Sequence, residues 1–152
     1  MVGMSRFSSE TDAALRAAGW FPGRQVDVTG WRRSLEGLSM HTAAEDFLQE
    51  FGGIRVEVSG PGMTCMRISF EIDPELGFGE EDRFLELSRR FNRSLFPVGM
   101  TDSSEFILAI DEEGVIYYAM LWLFSLGLGD SALECLVKGV AGERVSVPPS
   151  KS

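Results

Sequence analysis

Two apolar runs, "EFILAI" and "VIYYAM", flank the tetrapeptide "DEEG" that spans Asp111 to Gly114. Each run has strand length and is rich in β-branched and aromatic residues. Both are apolar at odd and even positions alike. A strand with two apolar faces cannot sit on a solvated edge, so this pair belongs in the middle of a sheet. Gly114 suits the left-handed position that closes a turn between antiparallel strands. The rest of the chain must therefore extend a sheet around this hairpin and supply helices to pack against it.

The remaining patterns supply such elements. Ser9 with Asp12 has the spacing of a capping box and predicts a first helix, with Leu15 and Ala18 on its buried side and Gly19 as its stop. In "AGWFPGR", Trp20 and Phe21 are expected to fold back on that helix, and Pro22-Gly23 fits the centre of a type II turn. Arg24 is read as a structural partner for a carboxylate or as a surface contact. A short second helix is expected from Thr29 to Glu36. "HTAAEDFLQEFGG" predicts a third, boxed by Thr42 and Glu45 and stopped by Gly52-Gly53. "IRVEV" and "MRISFEI" alternate apolar and polar residues, which predicts a hairpin with Met66, Ile68, Phe70 and Ile72 inward. A fourth helix runs from about Glu81 to Asn92 with Phe84, Leu87, Ser88 and Phe91 on one side. "LFPVGM" reads as a loop. A last helix, Ser131 to Lys138, is capped by Asp130 and ended by Gly139.

The order is three helices, two strands, one helix, two strands, one helix. This is α+β: a single domain, with a largely antiparallel sheet packed against helices. Residues 1–140 form the domain and 141–152 a mobile C-terminal tail. At 152 residues the chain buries roughly 70% of its unfolded surface, enough core to fold without disulfide or metal. Cys65 and Cys135 read as buried reduced thiols, with a structural disulfide as the alternative. The N-terminus has no apolar core of a secretory signal, and the longest uncharged run, Val115 to Leu128, is too short for a membrane span. The expectation is a soluble cytoplasmic protein.

Charge narrows the function. The formal net charge of −9 sets the chain against nucleic-acid phosphates and anionic membranes and in favour of a basic protein partner. Nucleophilic catalysis lacks a base: the one histidine, His41, precedes a helix start, and no GxSxG elbow exists. One histidine and two scattered cysteines do not make a metal site. Glu71, Asp73 and Glu75 could serve acid/base chemistry, but they fall on the solvated face of a strand. "GLGDS" lacks the full phosphate-cradling patterns and reads as a helix cap. No cofactor is expected.

Four segments carry a resemblance: "SSETDAALRAAGWFPGR", "HTAAEDFLQEFGGI", "FPVGMTDSSEFILAIDEEGVIYYAM" and "LGLGDSALECLVKGV". In order, over about Arg6 to Val140, they are similar to the third immunity-protein subfamily of the SUKH superfamily. The resemblance implies an immunity protein of a bacterial polymorphic toxin system. Such a protein has no established catalytic residues, and binds and neutralises a cognate toxin, often a nuclease or deaminase. The alternative is a general intracellular scaffold or regulatory protein-binding module. The family motif maps onto Trp20, Gly23, Arg24, Gly52, Gly53 and Pro97, all read as structural. Candidate acidic contacts with a basic toxin domain are Glu80, Glu81 and Asp82; Asp102 and Glu105; and Asp111, Glu112 and Glu113.

Overall fold

The computed structural model describes residues 6–35, 37–102 and 106–148. In chain order they form α1 (Ser9–Ala17), α2 (Thr29–Ser34), α3 (Thr42–Phe51), β1 (Arg55–Val56), β2 (Phe70–Glu71), a 3-10 turn (Pro74–Gly77), α4 (Glu81–Phe91), β3 (Phe96–Thr101), β4 (Ile107–Ile110), β5 (Val115–Ala119), β6 (Leu123–Leu128), α5 (Gly129–Lys138) and β7 (Glu143–Arg144). The seven strands lie side by side in sequence order, every neighbouring pair antiparallel. The class is α+β, as expected. β4 and β5 take the central places, and all four residues of β4 are buried.

Alternation assigns the two sheet faces. Ile107, Ala109, Tyr117 and Ala119 share one face; Leu108, Ile110, Ile116 and Tyr118 share the other. α5 packs on β5 and β6, and α1 packs on α5. Tyr118 lies within electrostatic reach of Cys135 on α5. The opposite face carries Tyr117, which meets Arg93 just beyond the end of α4. Phe84, Leu87 and Phe91 form the buried side of α4. Each such side chain stabilises the fold by about 1.5–3 kcal/mol on burial.

Three strands lie where the sequence predicts none. "FPVGMT" is β3 rather than a loop. Proline has no N–H to give a ladder, yet Pro97 is paired with Ala109 of β4, while β2 meets β3 only at Met100 and Thr101. Pro97 thus stands where its other side has no strand neighbour, beside a bulge that shifts the register before Gly99. Gly99 itself lies against β2 so closely that a Cβ would stand 2.1 Å from the Glu71 carbonyl oxygen. The second unpredicted strand, β6, absorbs "LGL" through a bulge at which Gly127 takes φ 98°. The third is β7, in the stretch expected to be a mobile tail. Glu143 and Arg144 pair with β6, and the Val145 N–H donates to the Leu123 carbonyl at 3.0 Å. Residues 149–152 of that tail lie outside the described residues.

Helix ends correct the predicted caps. α1 is capped by Ser8, not Ser9: the Ser8 hydroxyl accepts the Thr11 N–H. The carboxylate that completes a capping box comes from α5 instead of from α1. Glu134 accepts the Ser8 N–H at 2.6 Å and the hydroxyls of Ser8 and Thr11 at 2.9 and 2.7 Å. Burial works against the ionised Glu134, but these hydrogen bonds outweigh it and hold its pKa below the ordinary value. α2 is shorter than expected; Asp27 accepts both the N–H and the hydroxyl of Thr29, and Glu36 lies outside the described residues. α3 is capped by His41 rather than Thr42. Its Nδ1 accepts the Ala44 N–H at 3.1 Å, and Nε2 stands 2.9 Å from the Ser94 carbonyl. Those contacts require a neutral ring with its hydrogen on Nε2. α4 ends at Asn92 in the left-handed conformation. α5 begins at Gly129 without a side-chain cap; Asp130 turns instead to Arg6.

The first hairpin is also narrower than its alternation predicts. Phe70 and Ile72 are buried, but Met66 is 61% exposed. Beyond Val56, the Ser69 hydroxyl bridges the N–H and carbonyl of Val58 in place of a backbone pair.

Two glycine substitutions test these placements in opposite directions. Gly99→Ala drives a Cβ into backbone, and is expected to lower stability by at least about 1–3 kcal/mol. Gly30 lies within α2 with nothing within 4 Å of a Cβ and no positive φ, so Gly30→Ala is expected to raise stability by about 0.5–1 kcal/mol. Urea denaturation midpoints read both changes.

Candidate partner-binding surface

A basic partner is met by carboxylates that the fold has not already used, and the candidate acids differ in what they touch. Asp111 does not reach the surface. It is fully buried, and its Oδ1 accepts the N–H groups of Glu113 and Val115 at 2.9 and 3.0 Å. Its Oδ2 accepts the Tyr117 hydroxyl at 2.6 Å and lies 3.4 Å from Arg93 Nη1, which also donates to the Tyr117 oxygen at 2.5 Å. Asp111 is thus the anchor of the β4–β5 turn, and its buried charge is matched donor by donor. Burial, the hydrogen bond to Asp111 and its negative charge all push the Tyr117 pKa up.

Asp102 is exposed but engaged. Arg55 grips it through two nitrogens at 2.8 and 2.6 Å, and this holds the Asp102 pKa below the ordinary carboxylate value. Glu105 lies outside the described residues. Glu112 accepts the Ser94 N–H at 3.1 Å, and Glu113 is exposed at the turn tip. Glu80 is held by Arg83 at 3.2 Å.

The Glu113 carboxylate has no partner among the described residues, and two further candidates are in the same position, Glu81 and Asp82. Both lie in the first turn of α4, where they oppose the positive end of the helix dipole. Asp82 is exposed and Glu81 half-buried, and Glu86, one turn further on, is exposed. Among the described residues, none of these three carboxylates has an ion-pair or hydrogen-bond partner. Asp82 and Glu86 are spaced i,i+4, where like charges repel. Arg90 stands four residues beyond Glu86, the spacing that would pair them. It is turned instead to the Leu121 carbonyl, with its guanidinium 5.1 Å from the Trp122 ring centre and 5.3 Å from that of Phe91.

Asp82, Glu86 and Arg90 line a groove of about 550 Å³ whose other wall is Met120 and Leu121, from the turn between β5 and β6. Leu85 on α4 is 44% exposed, and Phe78, just before the helix, is 67% exposed. α4 thus presents free carboxylates with large apolar side chains beside them. Glu86 and Leu121 were not singled out by sequence reasoning. The available signal was negative: in "AMLWLF" every residue is apolar, and only the turn geometry decides that Leu121 faces water.

The motif residues occupy structural positions in the α1–α3 region and the sheet. Trp20 is buried, 5.4 Å from Phe7 edge-on and stacked on Phe51 at 6.0 Å, and its Nε1 donates to Glu50 at 2.9 Å. Phe21 is exposed rather than folded back. Gly23 takes φ 84° in the predicted turn, closed by the Arg24 N–H on the Phe21 carbonyl at 3.2 Å. Arg24 Nη1 donates to the carbonyl of Glu50 at 2.8 Å, and the Val26 N–H to that of Gln49 at 2.8 Å. The partner of Arg24 is therefore a helix-end carbonyl rather than a carboxylate. A Cβ on Gly52 would meet the Leu48 carbonyl and the Trp31 ring at 2.5 and 2.6 Å, and Gly53 takes φ 85°. Pro97 lies in β3.

The carboxylates considered for acid/base work are dispersed. Asp73 caps the 3-10 turn through the Glu75 N–H, and Glu71 lies 3.8 Å from Arg55. Among the described residues no group of three or more potential metal ligands is brought together, and no helix is long and apolar enough to cross a membrane. Cys65 and Cys135 are free thiols, half-buried rather than buried.

The buried network sets two measurable consequences. Asp111→Ala strands Arg93, Tyr117 and two turn N–H groups, and is expected to cost about 3 kcal/mol. The two tyrosines of β5, Tyr117 within this network and Tyr118 on the opposite face, also set a pH dependence. Tyr117 titrates above its ordinary value, and burial pushes Tyr118 up to about 12. Above about pH 10 the native state therefore holds more protons than the unfolded chain. Their contribution is fully present below that pH and is lost as pH rises through the folded values; in denaturant titrations Tyr117→Phe is expected to make the alkaline loss shallower.

Residues 7–139 match the pattern of the family described as SUKH-3 immunity protein. No curated protein and no solved structure matches the chain.

Proposed function

Because the chain belongs to the SUKH-3 immunity protein family, we propose that it binds a cognate bacterial toxin domain through the outer face of α4. It keeps that toxin inactive by direct contact, in the cytoplasm of the cell that makes it. The partner is a basic domain, a nuclease or a deaminase. An enzyme that works on nucleic acid must hold phosphate and so carries a positively charged site. An acidic protein competes for such a site and is steered toward it over long range.

The observation that carries this reading is the unpaired Asp82–Glu86 couple. Two carboxylates repel each other along one helix, while the arginine spaced to relieve them is engaged elsewhere. An external cation removes that repulsion. Glu81 extends the same surface toward the helix start. No step needs a catalytic group: inhibition follows from occupying the toxin's site or blocking access to it.

Co-expression with the product of the adjacent toxin gene is expected to restore growth, and the purified pair to associate one to one with an affinity that falls as salt rises. Glu81→Lys, Asp82→Lys and Glu86→Lys together are expected to slow association about tenfold or more, with the dissociation rate far less changed. Surface plasmon resonance at two ionic strengths reads this directly. An affinity indifferent to salt, or a toxin that stays lethal beside the wild-type chain, contradicts the reading.

A further inference from the structure

We infer that Leu121 is a preordered apolar anchor for the toxin, and that the partner presents an apolar socket ringed by lysine or arginine. This rests on the reading above and names what charge alone leaves open, the point of contact that sets specificity.

Leu121 is the most exposed of the large apolar side chains among the described residues, at 81%. Such exposure on a loose loop would mean little. Here the backbone beneath it is held on three sides. The Leu121 carbonyl accepts a hydrogen bond from Arg90 Nη2. The Met120 N–H donates to the Trp122 carbonyl at 3.0 Å, closing the turn. Trp122 is itself locked: its Nε1 donates to the Val145 carbonyl at 2.7 Å, Phe91 meets its ring edge-on at 5.1 Å, and Arg144 lies 4.3 Å from the ring centre. A side chain carried on a backbone already ordered loses less freedom on docking than one on a mobile loop.

Charge identifies the occupant. Across the groove from Leu121 stand Asp82 and Glu86, without internal partners. The two arginines in the same groove are already committed, Arg83 to Glu80 and Arg90 to the Leu121 carbonyl. What the groove offers a visitor is therefore an apolar knob with negative charge at its flank. Its complement is a hydrophobic depression with a basic rim. A second copy of this acidic chain would bring carboxylates to carboxylates.

The test titrates the full chain against the toxin domain encoded beside it, inactivated by substitution in its own active site. Leu121→Ala and Leu121→Asp are exposed changes and are expected to leave thermal unfolding in place. Leu121→Asp is expected to weaken binding by about tenfold or more, as loss of a central anchor does, while the dependence of affinity on salt stays as in the wild type. Asp82→Lys with Glu86→Lys is expected to flatten that salt dependence. Leu128→Asp, at another exposed leucine (58%) at the far end of β6, is expected to leave affinity within about twofold, as surface changes outside a contact do. Wild-type binding that Leu121→Asp leaves unchanged, or that Leu128→Asp weakens as much, overturns the anchor while the toxin-binding reading stands. Absence of wild-type binding removes both.

Discussion

The carboxylate of Asp111 ties the sheet to the helix that carries the candidate binding face. A buried anion is tolerated only where donors replace water, and four do so here: two N–H groups of its own turn, the Tyr117 hydroxyl and Arg93. The turn donors fix where β5 begins. Tyr117 fixes which face β5 shows, because a slip of one residue would send it to the side of Tyr118 and take its hydroxyl away from Asp111. Arg93 follows directly on Asn92, which ends α4. The same anion therefore sets strand register and the position of the helix end. At the β5–β6 end of its groove, α4 is held by Arg90 on Leu121 and Trp122, again through an arginine reaching across to the sheet.

Residues with local work were visible in the sequence. The two-sided apolar hairpin at the centre, the buried faces of α3 and α4, and the Gly23 turn all follow from periodicity and from glycine's access to positive φ. What sequence reasoning missed depends on distant partners. The cap of α1 is completed by Glu134, more than a hundred residues away, and nothing near Ser8 announces it. Arg24 serves the end of a helix that begins well after it, so its neighbours give it no role. Pro97 argues against a strand by every local rule; only the one-sided pairing of β3 at that point makes it acceptable. The short strand β7 has little apolar content of its own and exists because β6 leaves an edge to be paired.

The candidate acids show the same division. Counting carboxylates in a loop treats Asp111, Asp102 and Asp82 alike. The fold spends the first on its own turn, gives the second to Arg55, and leaves the third without a partner. Sorting them requires knowing where the arginines point, and an arginine can reach several elements. Glu86 illustrates this, since its spacing from Arg90 reads as a helix ion pair and the folded chain uses Arg90 elsewhere.

This arrangement separates the packing that holds α4 from the surface that α4 presents. Phe84, Leu87 and Phe91 hold α4 to the body from one side. Asp82, Leu85, Glu86 and Leu121 project from the other and touch little that the core needs. Substitutions on the outer face change what the surface attracts while leaving the buried side intact, and exposed changes of that kind are usually within about 0.5 kcal/mol of neutral for stability. The motif residues show the opposite behaviour: Gly52 has no room for a Cβ, and Trp20 is packed between rings. In this chain the motif residues are tied into the α1–α3 region and the sheet, while the outer surface of α4 carries no such packing constraint. On the toxin-binding proposal, the residues that carry the family motif are distinct from those that meet the partner.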